Sequence, residues 1–175
     1  FSHSIIRLEA GASAVLVLDF SSCLANAQSQ DTLHLGILEI QLEAGADLTL
    51  VELQQFALQT WNITHERASL QDGARLHWVY GALGARLSKN FIEASLKGAG
   101  AEARMHGFYF ASAQQVFDLD TQQDHLAPHT TSNLLYKGAA AGNARTVWEG
   151  MIYVAPQAMQ TDGFQTNRNL VLGAG

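Results

Sequence analysis

Apolar and polar residues alternate along most of this chain, in short runs interrupted at glycines. Residues 14–18 form a compact run of alanine, valine and leucine. Between Thr32 and Leu42 the apolar positions are first Leu33, Leu35 and Ile37, then Leu38, Ile40 and Leu42. A period of two marks a strand with unlike faces. A one-residue slip exchanges those faces, so the slip beside Gly36 predicts a bend or corner. Leu48 and Leu50, followed by Val51 and Leu53, predict another after Gly45. Later, Trp148, Gly150, Ile152 and Val154 alternate with Val147, Glu149, Met151 and Tyr153. Two segments read ambiguously: residues 52–59 fit a helix as well as a strand, and residues 24–30 a loop or a short helix. Pro128 and Pro156 predict breaks, since proline cannot donate a backbone N–H to a sheet.

A weak repeat organises these runs. Leu8-Glu9-Ala10-Gly11-Ala12 recurs as Leu42-Glu43-Ala44-Gly45-Ala46. Looser copies are Leu70-Gln71-Asp72-Gly73-Ala74 and Leu96-Lys97-Gly98-Ala99-Gly100-Ala101, and the leucines stand 34, 28 and 26 residues apart. Each copy separates two short apolar runs, where glycine suits a tight turn. Short strands repeating at this period predict a solenoid, and alternation without a 3.6-residue period makes it all-β, a parallel β-helix. At roughly 26 residues per coil the chain gives about six or seven coils, a prism some ~30 Å long. No linker divides residues 1–175, so one domain is expected. The abrupt start at Phe1 and end at Gly175 read as those of a piece of a longer chain.

Composition narrows the function. Hydrophobic residues make up 47% and charged residues 15%, against a usual charged share of about 25%; so little charge leaves apolar surface for a partner to cover. The net charge of −6 and scattered basic residues argue against nucleic-acid binding. No apolar run approaches the ~18 residues of a membrane span, which makes a reducing cytoplasmic setting the default. One cysteine, Cys23, excludes an internal disulfide, a multi-thiolate zinc site and an all-cysteine iron–sulfur cluster held by this chain alone; it reads as a small apolar residue at a strand end.

His125 and His129, with Asp118, Asp120 and Asp124 before them, are the most suggestive cluster. Pro128 between the histidines disfavours the helix that would bring them together, so a polar corner or partner contact is the simpler reading. Ser132 near His129 lacks the Gly-x-Ser-x-Gly elbow of a serine nucleophile, and residues 81–89 lack the Gly-Lys-Ser/Thr order of a phosphate loop. Trp61, Trp78, Trp148 and Phe108-Tyr109-Phe110 read as core or interface residues. An alternative reading, a β-helical carbohydrate-active enzyme, would use Asp118, Asp120 or Asp124 as paired carboxylates or calcium ligands.

Three segments in order carry a family resemblance: His125-Leu-Ala-Pro-His129-Thr-Thr-Ser-Asn133-Leu-Leu-Tyr-Lys137-Gly138, Ala144-Arg145-Thr-Val-Trp-Glu-Gly150-Met-Ile, and Thr161-Asp162-Gly163-Phe164-Gln165-Thr166-Asn167-Arg168-Asn169-Leu170. Together they resemble the SufB/SufD family of iron–sulfur cluster assembly proteins. The resemblance implies a right-handed parallel β-helix acting as a scaffold, not an enzyme. Its implied partners are a SufB-type subunit and, through regions not in this chain, a SufC-type ATPase, with self-association left open. It implies no resident cofactor here and an iron–sulfur cluster only transiently in the full complex. SufB-type sequences carry a functional cysteine in the stretch where this chain has Asn167, so the resemblance is to the SufD branch. It also places Asn167, Arg168 and Asn169 near the partner interface, with His125 and His129 as further contact candidates.

Overall fold

The computed structural model describes residues 1–22 and 31–173. Cys23 and the ambiguous segment 24–30 lie outside the described residues. Twelve strands follow in order: β1 (Ser2–Leu8), β2 (Ser13–Ser21), β3 (Thr32–Leu42), β4 (Asp47–Gln55), β5 (Thr60–Leu70), β6 (Arg75–Ala82), β7 (Leu87–Leu96), β8 (Glu102–Ala111), β9 (Val116–His125), β10 (Thr131–Ala141), β11 (Arg145–Val154) and β12 (Asp162–Leu172). There is no helix among the described residues. Odd strands form one six-stranded sheet and even strands the other, each strand parallel to the next. The chain therefore winds between two facing sheets as a parallel β-helix. The stack is six strands deep, about five turns, and at ~4.8 Å per layer some ~24 Å long. It is shorter than the six or seven coils expected.

The repeated pentapeptide is the corner joining an odd strand to the following even one. Gly11, Gly45, Gly73 and Gly100 take φ of +70°, +68°, +61° and +69° there, a conformation costing side-chain-bearing residues about 1–2 kcal/mol. Each corner is closed by an i to i+3 bond, such as Ala46 N–H to the Glu43 carbonyl at 2.9 Å. Corners also bond to one another. The N–H groups of Gly11, Gly45 and Gly73 donate to Ala44, Asp72 and Ala99 of the next corner at 2.8–2.9 Å. The turn's polar backbone is thus satisfied between coils, as buried peptide groups require.

In-register pairing turns the repeat into a column: Leu8, Leu42, Leu70 and Leu96 lie directly above one another. All four are buried, with Leu48, Leu50 and Leu76 across from them. Each buried leucine contributes about 1.5–3 kcal/mol. Pro128 and Pro156 fall in turns, and residues 52–55 extend β4, bonded between β2 and β6. Trp78 and Tyr109 face inward and Phe108 and Phe110 outward, as strand alternation dictates.

The predicted corners at the two phase slips are absent. β3 runs unbroken past Gly36, and β4 past Leu50. Leu33 and Leu35 face solvent, while Leu38, Ile40 and Leu42 face the core. In β4, Leu48 and Leu50 point inward and are followed on that face by Glu52 and Gln54, both buried. The backbone stays straight and the lining of the interior changes from apolar to polar.

Candidate functional site

Near the second end of the stack, His125 takes the place in the leucine column directly above Leu96. It is completely buried. Its Nε2 lies 2.8 Å from Ser132 Oγ, and its Nδ1 lies 2.7 Å from Thr130 Oγ1. Ser132 donates its own proton to Gln123 Oε1 at 2.9 Å, so the imidazole proton belongs on Nε2. Burial lowers the His125 pKa and favours the neutral ring, and the Thr130 hydroxyl is shared between Nδ1 and the Ala127 carbonyl, which it reaches at 3.1 Å. Ser132 is sealed inside this network and meets His125, not His129. His129 stands at the corner with φ of +61°, in the position of Gly100 one coil below, and is exposed. The two histidines face opposite ways.

The last strand divides the three candidate interface residues. Asn167 and Asn169 project toward the interior and Arg168 outward. Asn169 Oδ1 accepts a bond from the Tyr109 hydroxyl at 2.5 Å, whereas Asn167 Oδ1, like Trp148 Nε1 and Gln165 Oε1, is buried without a partner among the described residues. Such orphaned groups are costly unless water or another chain satisfies them. Among the described residues β11 and β12 each have a strand neighbour on one side only. Phe164, Leu170 and Val171 leave the last strand with 55–80% of their surface exposed.

Asp118 and Asp120 lie on the outer face of the odd-strand sheet. Lys89 from the neighbouring strand sits between them, with Nζ 2.8 Å from Asp118 and 2.5 Å from Asp120. Asp124 accepts a bond from Gln122 at 2.8 Å. The first two carboxylates serve an ion pair that ties two coils together, so the arrangement is not an unpaired acidic couple facing a substrate.

A second polar cluster was missed by sequence reasoning. Glu52 of β4 and Glu66 of β5 are buried side by side near the first end of the stack. Burial holds both carboxyls above the usual range, Glu52 the further because Glu66 stands beside it. Trp78 Nε1 donates to Glu52 Oε2 at 3.3 Å, and Thr64 donates to Glu66 Oε1 at 2.6 Å. Among the described residues Glu66 Oε2 and the Tyr80 hydroxyl have no partner, and both residues line a cavity of about 20 Å³. The available signal was a charged residue in the inward phase of a strand.

A family model described as the SufBD core domain of the SUF iron–sulfur cluster assembly system matches residues 1–175. An iron–sulfur cluster assembly SufBD family protein of Mycobacterium leprae is 32% identical over 182 residues, covering all of this chain and 44% of the relative. A Mycobacterium tuberculosis H37Rv protein of the same description gives the same figures. A SufBD family protein of Staphylococcus epidermidis is 27% identical over 158 residues, covering 90% of this chain and 33% of its own length. The chain thus spans less than half the length of these relatives.

Proposed function

The chain belongs to the SufBD core-domain family of iron–sulfur cluster assembly proteins, and from that premise we propose that it is the β-helical scaffold of a SufD-type subunit. In this reading it performs no turnover alone, pairs with a SufB-type subunit in the cytoplasm, and works with a SufC-type ATPase bound through other parts of the whole protein. It holds no cofactor of its own and meets an iron–sulfur cluster only as the cargo of the complex. The observation that carries the reading is Asn167 on the last strand, where the SufB branch has a cysteine. An amide cannot supply the thiolate that nucleophilic or cluster chemistry needs.

Apolar side chains on the outer faces of the sheets, among them Leu33, Trp61 and Ile63, support a partner role, since exposed apolar area of this kind suits a covered surface. No helix among the described residues is long and apolar enough to cross a membrane.

Affinity capture of the full-length protein from cells tests this. Recovery of SufB-type and SufC-type subunits is expected, while capture that repeatedly recovers neither would remove the proposal.

A further inference from the structure

The acidic cluster lies at the end of a hydrogen-bonded chain with a single direction. Ser2 Oγ lies 2.9 Å from His34 Nε2, and His34 Nδ1 lies 2.7 Å from Asn62 Oδ1. Asn62 donates to Ser88 at 3.0 Å, Ser88 to Asn90 at 2.7 Å, Asn90 to Thr64 at 2.6 Å and Thr64 to Glu66 at 2.6 Å. Because Asn62 uses its amide nitrogen on Ser88, its oxygen accepts from His34 Nδ1. From His34 onward every donor therefore points toward Glu66, and aligned bonds of this kind strengthen one another. Glu66 is the acceptor at the end of the line.

Glu52 has the complementary position. It lines the same cavity beside Glu66, and two ionised carboxylates cannot share so small a buried space without water or a cation between them. No lysine or arginine lines the cavity among the described residues. The titratable groups facing the pair are His34 from β3, Tyr80 from β6 and Tyr136 from β10. His34 is engaged with Ser2 and Asn62, and burial holds both tyrosines protonated. The unpartnered Glu66 Oε2 and Tyr80 hydroxyl line a space of about 20 Å³, and one water needs roughly 10–15 Å³.

We infer that this chamber is a proton-binding site: Glu52 carries one proton and donates it to Glu66, and a single water joins Glu66 Oε2 to the Tyr80 hydroxyl. The ligands are a proton and one water, held inside the β-helix beside its leucine column. The folded state keeps a proton that the unfolded chain releases above the ordinary glutamate value of 4.5. Stability therefore falls as pH rises from that value toward the raised folded one, and is constant below it with respect to this site.

The test is infrared spectroscopy of the carboxylic C=O stretch in the full-length protein, with denaturant unfolding followed from about pH 5 to about pH 9. The wild type should show a protonated-carboxyl band at neutral pH, and Glu52→Gln should abolish it while flattening the downward slope of stability with pH. A wild type without the band at neutral pH overturns the inference, as does a folded Glu52→Gln variant keeping the full slope. Should that variant not fold, the wild-type band and its titration decide alone. High-resolution density showing an ion instead of a water against Glu66 and Tyr80 would also refute it.

Discussion

At the scale of single residues, the interior rewards shape and punishes orphaned polarity. His125 follows four leucines in a column that ends on Val154, and it is accepted because Thr130 and Ser132 satisfy both ring nitrogens. His125→Leu should therefore destabilise the protein despite restoring the repeat, by about 1–3 kcal/mol, since two buried hydroxyls each lose one of their partners. Urea unfolding near neutral pH measures this. The same ring stays neutral below its ordinary value of 6.5, where the unfolded chain takes up a proton. This site's contribution to stability should accordingly fall as pH drops through that value, and His125→Leu should lack it. Gly107 marks another limit, because a Cβ there would run into the Tyr136 ring. Gly107→Ala is expected to cost about 1–3 kcal/mol through overpacking, read as a lower urea midpoint.

Among the elements, the corners separate backbone strain from crowding. A Cβ on Gly73 would meet nothing within 4 Å, yet its φ is +61°. Gly73→Ala should cost about 1–2 kcal/mol through conformation alone, a value that a urea series can set beside the crowded Gly107 site. These corners were legible from the repeat, since the glycine and the preceding leucine recur together. The phase slips were legible as positions but not as causes. Alternation reports which residues are apolar, and it equates apolar with inside; in β3 and β4 the inside turns polar while Leu33, Leu35, Val51 and Leu53 turn outward. A straight strand lining a polar interior then looks like a bent strand lining an apolar one. His125 was picked out as a candidate for its company in sequence, but its burial depends on the pairing of β9 with β7, which local pattern does not encode. The Glu52–Glu66 contact joins two strands and was hidden for the same reason.

For the whole molecule, low charge has a visible counterpart in the outer faces. Val15 and Val17 on one sheet, and Leu33, Trp61 and Ile63 on the other, expose 41–73% of their surface. Apolar area of this extent suits an assembly more than an isolated domain. A partner covering the outer face of the odd-strand sheet predicts that Leu33→Lys combined with Ile63→Lys weakens capture of a SufB-type subunit at least several-fold. Exposed substitutions of this kind change stability by only about 0.5 kcal/mol each, so unfolding measured in parallel distinguishes lost docking from lost folding.

A stack of look-alike layers has an addressing problem. Coils bearing the same leucine and the same turn could exchange places, or slide by one layer, with little change in apolar contact. The polar interior removes that degeneracy. Sliding one layer would set Glu66 against a residue other than Glu52 and carry His125 away from Ser132, stranding a carboxyl or an imidazole in a dry core. The two polar clusters therefore act as labels, one toward each end, that tell every coil its floor.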